Sequence, residues 1–196
     1  MRDGWRTILS VLAVSNLALL AAATSDAAEP GESLCNFRQA SLSVPAYQVS
    51  SKEVGHPYRA MYGYCLFERA GFLLQQDWVL SYLDADPVDS SPGGEGVGLG
   101  SDFLFRWHFN RTNAFVPSFD FGAGIQYAAG HAFPADGSRW MFTVLGGFGW
   151  LIPVRDDRDV SLSLRYTHMS NAGFIENNSG YDVVHLVAGW RWGRGD

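Results

Sequence analysis

Alternation between large apolar residues and small or polar residues runs along much of this chain and constrains the fold more than any other feature. In the segment 96–109, most odd positions carry large apolar side chains, whereas most even positions carry glycine or a polar side chain. The large apolar set is Val97, Leu99, Phe103, Phe105, Trp107 and Phe109. Because side chains alternate between the two faces of a β-strand, this segment predicts a strand with one large apolar face.

The same alternation recurs in four later segments, which begin near Phe115, Trp140, Val160 and Val184. Strands of ten or more residues are long for a soluble sheet, where ~5–6 residues are typical, and they match the ~9–11 residues of a membrane strand. Weaker candidates are Val44–Val49, Ala60–Phe67 and Asp77–Leu83. Since bacterial outer-membrane barrels have even strand numbers, we predict an all-β chain, an eight-stranded antiparallel transmembrane β-barrel of the outer membrane.

The two faces of these strands predict which residues meet lipid. The chain has 22 glycines, and only 17% of its residues are charged. The narrow interior of a small barrel suits glycines and paired charges, so the aromatic face is expected to look outward. The expected interior network is His108, His185, Asp102, Asp120, Arg106, Arg165 and Arg191. The expected interfacial girdles are Trp107, Phe109, Tyr127, Trp140, Trp150, Trp190 and Trp192. A soluble sandwich, or a soluble barrel that holds a ligand, is the alternative fold.

The first residues have the pattern of an export signal. Arg2 and Arg6 precede an apolar run, Ile8–Ala23, and small residues follow it. This order predicts a secretory signal peptide over residues 1–28 and leaves 29–196 as a single β-barrel domain. Cys35 and Cys65 would enter a compartment that permits a disulfide, although two buried thiols are an equal alternative.

Charge and residue spacing exclude several classes of partner. The net charge is −6 and Lys52 is the only lysine, which argues against a nucleic-acid partner. We expect no cofactor and no metal, since no metal-ligand spacing links His56 and His131.

The charged run 156–159 is predicted to be a solvated turn. Alternating loop lengths, with the long loops outside, place Asn171–Gly180 on the extracellular side.

Three polar residues interrupt the outward apolar stripe at the end of the last two strands. His168 and Ser170 share the parity of Leu162 and Leu164, and Asp182 lies on the outward parity of the next strand. Polar groups on a lipid-facing surface are costly. A serine, a histidine and a carboxylate in mutual reach can act as nucleophile, general base and orienting acid. The alternative is that the strand has already left the membrane at residue 168 and that these are ordinary residues of the loop rim.

The turn that follows Ser170 offers hydrogen-bond donors. Asn171 and the backbone N–H groups of the Asn171–Gly173 turn, including that of Gly173, are candidates for an oxyanion hole.

The stretches 166–173 and 178–182, which read YTHMSNAG and NSGYD, resemble the PagL-type lipid A 3-O-deacylases of Gram-negative outer membranes. The segment 119–124 is similar to a strand of the same family. The resemblance covers 96–192 well and the first strands poorly. It implies that His168 is the base, that Ser170 is the nucleophile and that Asn171 helps to form the oxyanion hole. The family's acid is a glutamate, whose place is taken by Asp182.

The resemblance also implies an activity and a location. The expected reaction is removal of the ester-linked 3-hydroxyacyl chain at position 3 of lipid A in the outer membrane. Lipopolysaccharide and outer-membrane lipid are then the expected partners, and a second copy of the chain, as a homodimer, is a further candidate. A non-catalytic small outer-membrane barrel, used for structure or adhesion, is the alternative function.

Overall fold

Eight antiparallel strands form one closed barrel. The computed structural model describes residues 36–49, 55–69, 71–86, 94–109, 115–130, 138–155, 157–173 and 180–193. The strands are β1 Arg38–Gln48, β2 Gly55–Arg69, β3 Phe72–Ala85, β4 Gly94–His108, β5 Val116–Gly130, β6 Trp140–Arg155, β7 Arg158–Ser170 and β8 Tyr181–Trp192. Each strand pairs with the next, and β1 also pairs with β8. The predicted eight-stranded barrel is therefore confirmed.

Two features near the start of the chain fall partly outside the described residues. The predicted signal peptide, 1–28, lies wholly outside them. Cys65 is disulfide-bonded, so the alternative of a buried thiol at this position is wrong. Cys35, the other cysteine of the sequence, lies outside the described residues.

Among the residues that are described, none belongs to a helix long and apolar enough to cross a membrane.

The outer surface of the barrel is apolar and rich in aromatic rings. Exposed side chains include Leu99, Phe103, Phe148 and Leu164, which all lie on the faces that alternation predicts to be outward. Rings cluster towards both ends of the strands. Trp107 stacks on Phe109 with a centroid separation of 6.4 Å, and Tyr127 and Trp140 meet edge to face at 5.1 Å. This distribution is typical of a lipid-facing wall with aromatic girdles.

The interior of the barrel is filled by paired charges. Arg106 makes two hydrogen bonds to the carboxylate of Asp120, at 2.7 and 2.9 Å, and Arg165 donates a third at 3.1 Å. Arg59 pairs with Asp102, which also accepts a hydrogen bond from Thr143 at 2.8 Å. Buried charges of this kind are tolerated because each has a hydrogen-bonded partner. Four residues of the expected inward network therefore pair inside the barrel, and Arg59 joins them; the four are Asp102, Asp120, Arg106 and Arg165.

Glycine is required where interior groups approach the backbone closely. A Cβ at Gly124 would lie 1.9 Å from Asp102 Oδ1, and one at Gly100 would lie 2.2 Å from the Ile125 carbonyl oxygen. Neither position has room for a side chain. These two glycines are therefore required by the close approach of neighbouring atoms in this narrow barrel.

The charged run 156–159 is not a solvated turn along its whole length. β6 continues to Arg155 and β7 begins at Arg158, so only residues 156–157 connect them. Asp159 points inward, is 1% exposed and accepts a hydrogen bond from Arg191 Nε at 2.8 Å. The physical reason is that Asp159 lies in β7 at a position that faces inward, where Arg191 of β8 pairs with it.

The connections differ in length at the two ends of the barrel. Segments 49–54, 86–93, 131–139 and 171–180 lie at one end, and 70–71, 109–115 and 156–157 lie at the other. The alternation is not strict, since 109–115 is longer by one residue than 49–54. The first residue of β1 pairs with the last residue of β8, so the start of β1 and the end of β8 lie at the end with the shorter turns.

Candidate active site

The last residues of β7 and the first residues of β8 bring the three predicted side chains together. His168 and Asp182 are directly opposite in the antiparallel register of these strands. Residues facing each other in such a pair have Cβ atoms ~4.5–5.5 Å apart. Ser170 lies two positions after His168 and therefore shares its face of the strand. The hairpin register and the period of the strand thus assemble the cluster.

The imidazole ring of His168 bridges the other two side chains. Its Nδ1 atom lies 2.8 Å from Asp182 Oδ1, and its Nε2 atom lies 3.1 Å from Ser170 Oγ. Both separations are hydrogen bonds. With Nδ1 donating to the carboxylate, Nε2 is left as an acceptor for the serine hydroxyl, which is the tautomer that a general base needs.

The cluster is partly covered although it stands on the outer wall. The side chain of His168 is 36% exposed and that of Asp182 is 25% exposed. Ser170 is only 8% exposed, so it is much less open than the outward residues lower on β7. His168 therefore faces outward, as its parity predicts. Ser170 shares this parity, but its side chain is covered at the end of β7.

A tight turn follows Ser170. The Gly173 N–H donates to Asn171 Oδ1 at 2.9 Å, and the Ala172 N–H lies 3.4 Å from Ser170 Oγ. Ala172 has a φ of 56° and Gly173 a φ of 77°, so two successive residues adopt left-handed backbone. This conformation costs free energy at a non-glycine residue. The two predicted oxyanion donors are bonded to each other. The Gly173 N–H donates to the side-chain oxygen of Asn171, and Asn171 is buried.

The ring of His168 has close neighbours on both sides along the barrel axis. A Cβ built on Gly180 would lie 2.7 Å from His168 Cε1. On the other side, the hydroxyl of Tyr166 donates to Asp182 Oδ1, the same oxygen that contacts His168. Tyr166 shares the parity of Leu162 and Leu164, so the sequence predicts only that its ring faces outward. The hydrogen bond of its hydroxyl to Asp182 has no signal in the sequence.

The described residues hold no group of three His, Cys, Asp or Glu side chains that could bind a metal ion. The arrangement of serine, histidine and carboxylate is able to support nucleophilic attack on an ester without one.

A family model matches this chain, and solved structures share its fold. The family described as lipid A 3-O-deacylase (PagL) matches residues 47–191. The crystal structure of the outer-membrane enzyme PagL has 22% identity, a TM-score of 0.58 and coverage of 77% of this chain and 97% of that one. Neisserial surface protein A has 15% identity, a TM-score of 0.55 and coverage of 80% and 96%. No curated protein sequence matches significantly.

Proposed function

Because the chain belongs to the lipid A 3-O-deacylase family, whose match spans most of its length, we propose that Ser170, His168 and Asp182 carry out the hydrolysis. The chain is an outer-membrane enzyme that acts on lipid A. The observation that carries the assignment of residues is the bridging position of the His168 ring, with one nitrogen on the carboxylate and the other on the serine hydroxyl.

The first half of the reaction transfers the acyl chain to the enzyme. Ser170 Oγ attacks the carbonyl carbon of the ester at position 3, and its proton moves to His168 Nε2. Asp182 stabilises the imidazolium that forms. When the tetrahedral intermediate collapses, the ester C–O bond breaks and His168 gives the proton to the departing sugar oxygen. The products of this half are 3-O-deacylated lipid A and an ester between the 3-hydroxyacyl chain and Ser170.

The second half releases the fatty acid. A water molecule takes the place of the sugar hydroxyl next to His168 and loses a proton to Nε2 as it attacks the acyl-enzyme carbonyl. Collapse of this intermediate breaks the bond to Ser170 Oγ, which recovers its proton from His168. The net reaction consumes one water molecule, yields a 3-hydroxy fatty acid and restores the resting site.

The negative charge on the carbonyl oxygen needs nearby donors during both halves. The Ala172 N–H, 3.4 Å from Ser170 Oγ, is the backbone donor nearest to the nucleophile among the described contacts. In our proposal it stabilises the oxyanion, a task in which one donor contributes about 10²–10³ in rate. Asn171 then acts by holding Gly173 and thereby the left-handed turn that aims this N–H.

The position of the cluster suits an embedded lipid substrate. His168 and Ser170 lie on the outer wall beside the connection 171–180, at the end of the barrel opposite to the start of β1 and the end of β8. In outer-membrane barrels this end faces outside the cell, where lipid A forms the outer leaflet. The substrate can therefore reach Ser170 sideways from the membrane without entering the barrel, whose interior holds buried ion pairs.

The function is tested with purified protein in detergent and purified lipid A. We expect the release of 3-hydroxy fatty acid and a lipid A product that has lost only the chain at position 3, both measured by mass spectrometry. Release from another position would contradict the assigned reaction, and so would intact lipid A after incubation with a folded barrel. Heat-dependent mobility in gel electrophoresis reports whether the barrel is folded.

The carboxylate of Asp182 is expected to be required in its charged form. Asp182→Asn keeps the size of the side chain but favours the wrong imidazole tautomer, so we expect the deacylation rate to fall at least about 10²-fold. Asp182→Glu restores the charge with one more methylene, and we expect a rate within about tenfold of wild type. Equal rates for Asp182→Asn and wild type would show that the carboxylate of Asp182 takes no part in the reaction.

Gly180 is expected to be sensitive to a single added methyl group. In Gly180→Ala the new Cβ would stand 2.7 Å from His168 Cε1, so the ring must turn away from Ser170 or Asp182. We expect the rate to fall about tenfold or more, because small displacements of a catalytic base are costly. Gly146→Ala is the control, since its Cβ would meet one backbone oxygen at an ordinary 3.7 Å. Matching rates for the two variants would contradict this expectation.

A further inference from the structure

Tyr166 is joined to the catalytic cluster by its hydroxyl group. It lies two positions before His168 on β7 and therefore on the same outward face. Its hydroxyl donates to Asp182 Oδ1, and His168 Nδ1 contacts that same oxygen at 2.8 Å. The chain of contacts thus runs through four side chains, from Tyr166 to Asp182, His168 and Ser170.

The carboxylate of Asp182 needs such a partner because of where it stands. The next outward residues of the same strand are Val184 and Leu186, whose side chains have no hydrogen-bonding groups. With 25% of its side chain exposed next to the connection 171–180, the carboxylate can otherwise rotate towards water. A hydrogen bond to a charged acceptor is stronger than one between neutral groups. The Tyr166 hydroxyl therefore favours the rotamer in which Oδ1 faces His168.

We infer that Tyr166 is a positioning residue for lipid A deacylation, which acts by fixing the carboxylate of Asp182 against the His168 ring. The inference rests on the proposed function of the serine, histidine and aspartate cluster. Tyr166 makes no described contact with Ser170, so its effect passes through Asp182. Loss of its hydroxyl should slow the chemical step and leave substrate binding unchanged.

The chain contains a matched control for this effect. Tyr64 also lies on the outward face, and its hydroxyl donates to Gln76 Oε1 at 2.6 Å, on β2 and β3. Tyr64→Phe thus removes the same atom and one tyrosine hydrogen bond, here to a neutral amide oxygen, at a site that no described contact joins to His168.

The test compares purified Tyr166→Phe, Tyr64→Phe and wild type in detergent with lipid A. We expect kcat of Tyr166→Phe to fall about tenfold with KM unchanged, as for a lost hydrogen bond to a charged group, and Tyr64→Phe to match wild type. Tyr166→Leu, which is also suited to a lipid-facing position, should give the same loss. Folding is checked by heat-dependent mobility.

A double-mutant cycle separates positioning from a general structural effect. In the Asp182→Ala background the carboxylate is absent, so adding Tyr166→Phe should change kcat by less than about twofold. A wild-type kcat for both Tyr166→Phe and Tyr166→Leu would overturn the inference, and so would an equal loss in the presence and absence of Asp182. Either result would leave the proposed function intact if Ser170→Ala is inactive. Activity in Ser170→Ala would instead refute the proposed function itself.

Discussion

Ser170→Ala is expected to lower the deacylation rate at least about 10³-fold without unfolding the barrel. The substitution removes the oxygen that attacks the ester carbonyl, and what remains is the modest catalysis that binding and the oxyanion donors supply. Ser170 is the last residue of β7, and its side chain contacts His168 and the Ala172 N–H rather than the interior ion pairs. The rate is measured as 3-hydroxy fatty acid released by purified protein in detergent.

A second serine of the same strand is the control. Ser163 is buried and points into the barrel, on the opposite face from Ser170. Ser163→Ala should keep the wild-type rate. A serine-reactive fluorophosphonate should label wild type and Ser163→Ala but not Ser170→Ala. If Ser170→Ala hydrolyses lipid A at the wild-type rate, or if the reagent labels it equally, Ser170 is not the nucleophile.

Asp120→Ala is expected to destabilise the barrel strongly. The carboxylate of Asp120 accepts hydrogen bonds from both Arg106 and Arg165, and all three side chains are at most 4% exposed. Without it, two guanidinium groups stay buried without their carboxylate. Breaking a buried pair in this way costs about 3–5 kcal/mol. The measurement is the free energy of unfolding in urea, with the barrel folded in lipid vesicles.

An exposed ion pair of the same residue types provides the comparison. Asp157 lies 3.6 Å from Arg158, and the side chains are 58% and 45% exposed. Such pairs contribute about 0–1 kcal/mol, so Asp157→Ala should leave the free energy of unfolding almost unchanged. Similar losses for Asp120→Ala and Asp157→Ala would mean that the interior network does not stabilise this barrel.

The later strands could be predicted from the sequence because their alternation continues for about ten residues, and the register shift of β6 comes only near its end, between Pro153 and Arg155. The earlier strands carry weaker signals for a physical reason. β2 has a bulge between Cys65 and Phe67, and Leu66 and Phe67 are therefore both exposed in succession. β1 has a register shift between Pro45 and Tyr47. A bulge adds a residue to one strand and breaks the period of two, so the predicted segments were shorter than the strands.

Long-range pairing explains what the sequence did not predict. Asp159 stands in a charged run that resembles a solvated turn, and its partner Arg191 is 32 residues away on β8. The hairpin of β7 and β8, by contrast, is local, so the meeting of His168 with Asp182 could be predicted from parity and connection. Tyr166 was missed because an aromatic ring is ordinary on a lipid-facing strand, and only the hydrogen bond distinguishes it.

The central claim is that Ser170, on the outer wall of the barrel, removes the 3-O-acyl chain of lipid A. It is tested most directly by mass spectrometry of lipid A from Gram-negative cells that express wild type or Ser170→Ala in equal, folded amounts. We expect lipid A to lose one 3-hydroxyacyl chain, at position 3, only in cells with wild type. Identical lipid A from both strains would contradict it.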